Sequence, residues 1–385
     1  MELEIFGIQL NIWGLHCAIG ALCAFMAMGV ICSSKGMKAG SAPVLGLASL
    51  VLGIVCSRVL YCLIVTLTKT RMPLSSWLKV EEGGWSLAGL IGGGMLAAWI
   101  SAKIIGEKPK RMLDAVSVAL PLMIAAERMG EESLQPFFNS TTDVFNLSRQ
   151  IASEGFLTIV NNGKTYLATY RIDAALAMIL FLVLVFSLLN KRSRDGDLWI
   201  RFMLLCGAGG VLAESLRYDD FLVYSFVRIQ QVLFAILLLF GLIAAGRKGK
   251  TGTKRLYTAA IVTMVLTVAE CIGLEFILDR TGGVRHEVLY GVMTAALAIP
   301  VIHGWILQRL RNRMNEDPRL DRKAKMGALI AGLILSAAEL AALIIEVLRI
   351  HAMDKFMVLA AASAAAVMIL HGVTVYLESR TTDKE

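Results

Sequence analysis

Charged residues are scarce in this sequence. Asp, Glu, Lys and Arg make up 18% of the 385 residues, against about 25% in an average soluble domain, and hydrophobic residues make up 57%. Together with a mean hydropathy of +0.67, this excludes a soluble globular protein and a disordered chain. The net charge of +8 does not indicate a nucleic-acid partner, because the basic residues stand in short clusters between apolar runs, where they orient membrane spans.

Cysteine pairs with the spacing of a metal site are also missing. All seven cysteines lie inside apolar runs, and none belongs to a C-x-x-C motif. We therefore interpret them as small buried hydrophobic residues. The sequence predicts neither a metal ion nor another cofactor.

The apolar runs predict a polytopic all-α membrane protein. About 20 apolar residues cross a bilayer as a helix, and eleven runs satisfy this length. Lys and Arg are more frequent after the first, third, fifth, seventh and ninth runs than in the other connections, which predicts an N-outside, C-inside orientation. The predicted spans are 10–32, 43–67, 85–106, 112–129, 171–190, 198–217, 222–246, 256–278, 288–308, 326–348 and 356–377.

One long connection, residues 130–169, lies on the predicted outer side. It contains two β-rich runs, 156–160 and 165–170, on either side of Asn162-Gly163. Asn-Gly between such runs is typical of a hairpin turn. We therefore predict a small extracytoplasmic head that contains a β-hairpin.

The last third of the chain suggests an internal repeat. Glu270 is followed by His303, and Glu339 by His371, at nearly equal spacing and in similar apolar runs. Sequences rich in Ala and Leu also produce such matches by chance, so duplication and coincidence both remain open. We predict a separate four-helix membrane extension over residues 247–385.

Ionisable side chains inside predicted spans are candidates for function because burying them in a membrane is costly. Arg128 stands at the outer end of the fourth span, and a glycine-rich stretch, 83–94, begins the third. Glycine lets a backbone approach a ligand or another helix closely. An arginine at the same level is suited to a lipid phosphate, which its planar fork binds with two hydrogen bonds.

These motifs resemble those of the bacterial prolipoprotein diacylglyceryl transferases. The resemblance runs from about residue 5 to residue 246, within a predicted seven-helix domain over residues 1–246, and the order of the matching pieces along seven spans makes it specific. The pieces are Ile12-Trp13-Gly14-Leu15, Ser57-Arg58-Val59-Leu60-Tyr61, Gly-Gly-x-Ser at 83–86, Asp114, Arg128-Met129-Gly130, and Glu214 with Arg217.

The resemblance implies a seven-helix transferase domain of the bacterial cytoplasmic membrane. Such a domain moves the diacylglyceryl group of phosphatidylglycerol onto the thiol of a lipobox cysteine, without a metal. Its expected partners are phosphatidylglycerol or another anionic phospholipid and a prolipoprotein lipobox peptide. The catalytic candidates that it implies are Arg128, Glu214 and Arg217, and the lipid-binding candidates are Arg58, Ser86, Gly89, Gly130 and Glu131.

Several family positions are altered in this chain. The family histidine is Ala88, the asparagine after Arg-x-Gly is Glu131, and a second arginine is Gly210. His16 is a candidate replacement for the missing base, although a single histidine on a membrane helix also occurs as a packed residue. Three functions therefore remain open: a transferase, a non-catalytic paralogue that binds phospholipid or a lipoprotein precursor, and a secondary transporter.

Overall fold

The computed structural model describes residues 2–5, 8–69, 71–79, 83–134, 144–146, 156–161, 164–189, 193–217, 222–224, 227–246, 251–280, 286–312 and 334. Within these ranges the chain forms ten α-helices and three small sheets. Eight of these helices are long and apolar enough to cross a membrane. The predicted fold class is thereby confirmed in its coarse form, a polytopic all-α membrane protein.

The helices follow the apolar runs closely over the first nine predicted spans. The helix bounds are α1 Ile12–Ser34, α2 Ser41–Thr68, α3 Leu74–Trp77, α4 Leu87–Ile105, α5 Pro109–Gly130, α6 Thr169–Leu189, α7 Asp197–Leu216, α8 Ile229–Gly246, α9 Thr251–Arg280 and α10 His286–Asn312. The predicted spans 326–348 and 356–377, with Glu339 and His371, lie outside the described residues. The count of eleven spans and the orientation therefore stay predictions.

Short strand pairs precede or connect the helices. The strands are β1 Glu2–Ile5, β2 Ile8–Asn11, β3 Val144–Asn146, β4 Thr158–Asn161, β5 Lys164–Ala168, β6 Val223–Tyr224 and β7 Val227–Arg228. β4 and β5 pair antiparallel across the Asn-Gly position, and β5 lies at the centre of the order β3-β5-β4. α8 begins at Ile229 rather than at the predicted residue 222, because β6 and β7 occupy that part of the apolar run.

The chain divides into two compact units. The first consists of Met1–Phe202, Ala213–Tyr224 and Arg228–Leu233, and the second of Met203–Leu212, Ser225–Val227 and Phe234–Glu385. The residues that the sequence singles out at the outer end of the early helices belong to the first unit.

α5 is the central helix of the first unit, packed against α1, α4 and α6. More than half of its residues are buried, and it falls outside the group of eight strongly apolar helices. By contrast, α1 and α2 expose large apolar side chains such as Val30 and Leu47, as expected of surfaces that face lipid. A helix surrounded by protein needs less hydrophobicity than one exposed to hydrocarbon, and it can carry polar groups that neighbouring helices satisfy.

α2 and α4 pack at backbone distance through glycine. A Cβ atom at Gly89 would lie 2.6 Å from the Cys56 carbonyl oxygen, and one at Gly93 would lie 2.3 Å from the Leu52 carbonyl oxygen. Only glycine allows this approach. The predicted glycine-rich stretch therefore brings two helices together at the level of Ser86.

The second unit contains a helical hairpin with a polar interior. α9 packs against α10, and Thr263 Oγ1 lies 3.2 Å from His303 Nδ1. Thr267 Oγ1 donates to the Ala296 carbonyl at 3.4 Å, and Glu270 is buried one turn further along α9. Thr263, Thr267 and Glu270 therefore form one polar row along the face that meets α10.

Candidate active site

Arg128 lies in the last turn of α5 and is 5% exposed. Its guanidinium pairs with three carboxylates. Nε lies 3.6 Å from Glu127 Oε2 and 3.5 Å from Asp173 Oδ2 of α6, while Nη1 donates to Glu131 Oε1. Glu131 opens the 3₁₀ turn Glu131–Leu134 that follows α5. The predicted phosphate-binding arginine is therefore held by acidic side chains from two helices and the turn between them.

Glu214 and Arg217 form a second ion pair at the end of α7. Arg217 Nη1 lies 3.6 Å from Glu214 Oε1, and both side chains are almost fully buried. Arg217 is close enough to act electrostatically on Arg128 and Glu131. The structure therefore brings together four residues that the sequence predicts for this site, namely Arg128, Glu131, Glu214 and Arg217.

Gln230, in the first turn of α8, connects this pair to the start of α4. Its Nε2 donates to Glu214 Oε1 at 3.2 Å. Its Oε1 accepts from the Leu87 backbone N–H at 3.1 Å and from Ser86 Oγ at 3.4 Å. The sequence analysis missed Gln230, since an amide in the first turn of an apolar helix gives no signal of its own.

Ser86 and Gly89 belong to the framework around the cluster. Ser86 Oγ caps α4 by accepting from the Gly89 N–H at 3.3 Å, and the Ser86 carbonyl accepts from Ser57 Oγ at 2.8 Å. Ser86 is fully buried. These bonds fix the start of α4 against α2, with the Leu87 N–H directed at Gln230.

Arg58 of α2 organises the loop between α2 and α4. Nε donates to the Trp77 carbonyl at 3.3 Å, Nη2 to the carbonyls of Ser76 and Lys79, and Nη1 to those of Gly83 and Gly84. A guanidinium has five N–H donors, so each has a backbone acceptor here. In this structure Arg58 therefore binds the chain's own backbone.

α1 approaches the outer end of α5 at Gly130. A Cβ atom at Gly130 would lie 2.9 Å from the His16 Cβ and 3.3 Å from Trp13 Cδ1. His16 Nδ1 lies 2.9 Å from the Ile12 carbonyl oxygen, which can only accept a hydrogen bond. In the tautomer that carries its proton on Nδ1, the ring donates to this carbonyl and leaves Nε2 as an acceptor.

Two of the altered family positions have a structural explanation. At Gly210, an added Cβ would lie 2.4 Å from the Phe234 ring, so the aromatic side chain fills the space into which a longer residue would extend. At position 131, the Glu131 carboxylate forms an ion pair with the Arg128 guanidinium. Ala88 is half-buried in the first turn of α4, one residue after the Leu87 amide that Gln230 binds.

The cluster around Arg128 carries more acid than base. Arg128 touches Glu127, Glu131 and Asp173, while Glu214 pairs with Arg217. Burial, with a smaller contribution from the nearby carboxylates, raises the pKa of Glu131 to about 8 against the opposing charges of Arg128 and Arg217. Across the described ranges, no three His, Cys, Asp or Glu side chains lie close enough to hold a metal ion.

The sequence matches a family model described as prolipoprotein diacylglyceryl transferase over residues 1–246. Three similar proteins are all named phosphatidylglycerol-prolipoprotein diacylglyceryl transferase. The one from Symbiobacterium thermophilum is 27% identical over 43% of this chain and 61% of its own length, which is less than two-thirds of that protein. Those from Clostridioides difficile and Staphylococcus epidermidis are 25% and 23% identical, over 62% and 61% of this chain and 91% and 84% of their own lengths.

The family model covers most of the chain, including every helix that supplies a residue to the cluster around Arg128. This confirms the resemblance that the motifs of the first seven spans indicate. The chain is a multi-pass membrane protein and belongs to the prolipoprotein diacylglyceryl transferase family.

Proposed function

We propose that this protein transfers a diacylglyceryl group from a phospholipid, phosphatidylglycerol in the names of its relatives, to the thiol of a lipobox cysteine. The observation that carries the proposal is the buried cluster of Arg128, Glu214 and Arg217 on α5 and α7. The reaction takes place on the outer side of the bacterial cytoplasmic membrane, beneath a small head formed by β3, β4 and β5.

The chemistry needs a base and a cation. The thiol loses its proton, and the sulfur forms a bond to the terminal glycerol carbon of the diacylglyceryl group as that carbon's bond to the phosphate oxygen breaks. The electron pair leaves with glycerol phosphate, whose charge Arg128 and Arg217 stabilise. Glu214 orients Arg217, and Gly130 lets α1 approach the headgroup closely.

We assign the role of base to His16. Its Nδ1–H is bound to the Ile12 carbonyl, so Nε2 keeps the lone pair that accepts the thiol proton. Its contact with Gly130 places it beside the turn that carries Glu131. Arg58, Ser86 and Gly89 support the site by holding the α2–α4 loop and the start of α4.

An in vitro transfer assay tests the proposal. The purified full chain is incubated in micelles with phosphatidylglycerol and a lipobox peptide, and the peptide is analysed by mass spectrometry. We expect a diacylglyceryl mass shift that Arg128→Ala abolishes and Arg171→Ala retains, since Arg171 pairs with the half-exposed Glu132 outside the cluster. No mass shift beside an active reference transferase would reject the proposal.

A second candidate function is phospholipid binding without transfer. It is favoured by Ala88 in place of a histidine and by the Phe234 ring that fills the space at Gly210. In that case the same assay gives no product, while phospholipid remains bound to the purified protein and is lost from the Arg128→Ala variant.

A further inference from the structure

Three carboxyl groups share the guanidinium of Arg128. Among the described residues, Glu127 Oε2 and Asp173 Oδ2 lie 3.6 and 3.5 Å from its Nε, and Glu131 Oε1 accepts from its Nη1. Three ionised carboxylates on one buried guanidinium would leave uncompensated charge away from water, which a carboxyl group avoids by keeping its proton. We therefore expect one of the three to be a carboxylic acid at neutral pH.

Glu131 has the contacts of a carboxylic acid. Its side chain is 13% exposed, and its Oε2 atom is buried without a hydrogen-bond partner among the residues that the structure describes. A proton on Oε2 leaves Oε1 free to accept from Arg128 Nη1, so the contact with Arg128 persists in both forms. Burial raises the pKa of Glu131 to about 8, and the acid form therefore predominates at neutral pH.

The Oε2–H group of this acid is a hydrogen-bond donor that lacks an acceptor in the described cluster. In the proposed function Arg128 binds the phosphate of the donor lipid, and a phosphate on the same guanidinium brings oxygen acceptors next to Glu131. An ionised carboxylate at this position would repel the phosphate, whereas a carboxylic acid is neutral and donates. It thereby shares two properties with the asparagine of the family, the lack of charge and a donor.

We propose that Glu131 is the acid of the transfer, and that its Oε2–H donates to the phosphate oxygen that leaves the glycerol carbon. As the sulfur bonds to that carbon, the electron pair of the broken carbon–oxygen bond passes to this oxygen, which takes up the Glu131 proton. The thiol proton, first accepted by His16, then returns to the Glu131 carboxylate. His16 contacts Gly130, the residue before Glu131. The inference rests on the proposed function, because it assigns a step of the same reaction.

The pH dependence of transfer tests the inference. We measure kcat/KM for phosphatidylglycerol, which reports the ionisation of the free enzyme, in the wild type and in Glu131→Gln. Glutamine keeps the size of the side chain and an N–H donor but has no proton to lose. Since the acid form is the active one, the ratio of wild-type to variant kcat/KM should fall by about tenfold as pH rises through about 8. A constant ratio would overturn the inference.

The ratio isolates Glu131 from its neighbours and from the peptide thiol, because these groups are the same in both proteins. The titratable or charged groups around Glu131 are Cys17 and His16 of α1, Glu127 and Arg128 of α5, Tyr170 and Asp173 of α6, Arg217 after α7, and its neighbour Glu132.

Two further variants complete the comparison. Glu132→Gln is the matched control, since Glu132 is about half exposed and pairs with Arg171 instead of Arg128. This variant should keep the wild-type decrease at high pH. Glu131→Asn, which introduces the residue of the family, provides a second neutral donor in case Glu131→Gln lowers the thermal midpoint. A decrease through about pH 8 that persists in both neutral variants would overturn the inference.

Infrared spectroscopy of the full chain in micelles tests the protonated state without turnover. The difference spectrum of wild type minus Glu131→Gln should contain the C=O stretch of a carboxylic acid at neutral pH. Addition of phosphatidylglycerol should move this band to lower frequency, because the O–H group then donates to the phosphate. A difference spectrum without the band at neutral pH would overturn the inference.

The inference and the proposed function fail in different ways. Transfer to the peptide with a constant ratio across the pH range would reject the acid role of Glu131 and leave the transferase in place. No transfer by the wild type beside an active reference transferase would reject both.

Discussion

Gln230 of α8 donates from Nε2 to Glu214 Oε1 of α7 at 3.2 Å, while its own Oε1 accepts from the Leu87 N–H of α4 at 3.1 Å. One amide thus joins the catalytic candidate Glu214 to the helix that carries Ala88. Both ends of the amide are used, so a substitution that removes either the donor or the acceptor also loosens the other contact.

Gln230→Leu should lower the transfer rate by about tenfold, because Glu214 loses the donor that orients it and the Leu87 N–H loses its acceptor. The thermal midpoint of the variant shows whether the fold survives. Gln231→Leu is the neighbouring control, since the Gln231 Oε1 accepts from Arg228 N. An unchanged rate in Gln230→Leu would show that Glu214 needs no orientation from α8.

Arg58→Lys should loosen the loop between α2 and α4. Lysine keeps the charge but offers one ammonium, which cannot reproduce five bonds to backbone carbonyls arranged around a planar fork. We expect faster proteolytic cleavage between residues 69 and 86 in the variant than in the wild type, measured by mass spectrometry of the fragments. Equal cleavage rates would contradict the organising role of Arg58.

The glycines of α4 provide a test of the close contact with α2. A Cβ at Gly93 would lie 2.3 Å from the Leu52 carbonyl oxygen, whereas a Cβ at Gly92 meets no atom within 4 Å. Gly93→Ala should therefore destabilise the protein by about 1–3 kcal/mol or more, while Gly92→Ala should be neutral or stabilising by up to about 1 kcal/mol. Unfolding in mixed micelles compares the two, and equal losses would contradict the packing.

Asp114 ties three segments together at the predicted inner end of α5. It is fully buried and accepts from Lys35 Nζ, from the Gly196 N–H at 2.8 Å and from the Trp199 N–H at 3.0 Å. Asp114→Ala should cost about 3–5 kcal/mol, because the charge of Lys35 and two backbone donors lose their acceptor.

The control for Asp114 is Asp195→Ala. Asp195 pairs with Arg111 at 3.0 Å, but both side chains are about one-third exposed, and such pairs contribute about 0–1 kcal/mol. The thermal midpoint should therefore fall much further for Asp114→Ala than for Asp195→Ala. Similar decreases of the thermal midpoint in the two variants would contradict a larger contribution of the buried Asp114 to stability.

Ala88→His should raise the transfer rate, since it supplies a base in the first turn of α4, next to the Leu87 amide that Gln230 binds. A positioned base contributes about 10²-fold or more. Ala88→Gln is the control, because glutamine forms hydrogen bonds without taking up a proton at neutral pH. A rate that does not change in Ala88→His would show that His16, or another group, already performs this step.

The sequence by itself determined the class of the protein, the approximate bounds of its first nine long helices and its family. These follow from local information, namely the length of each apolar run and the order of short motifs such as Arg128-Met129-Gly130. The start of α8 is predicted too early, because apolar residues of β6 and β7 continue directly into the apolar run of the helix.

Only the tertiary structure decided what the polar residues do. The carboxylates of Glu127, Asp173 and Glu131 all contact the Arg128 guanidinium. Arg58 donates all five of its N–H groups to backbone carbonyls. Glu127 and Glu131 are close to Arg128 in the chain, but Asp173 comes from α6 and the acceptors of Arg58 come from the loop after α2. The sequence pattern does not reveal contacts between such separate segments. The ion pairs of a buried arginine depend on which helices meet, and that is set by packing at positions such as Gly89, Gly93 and Gly130.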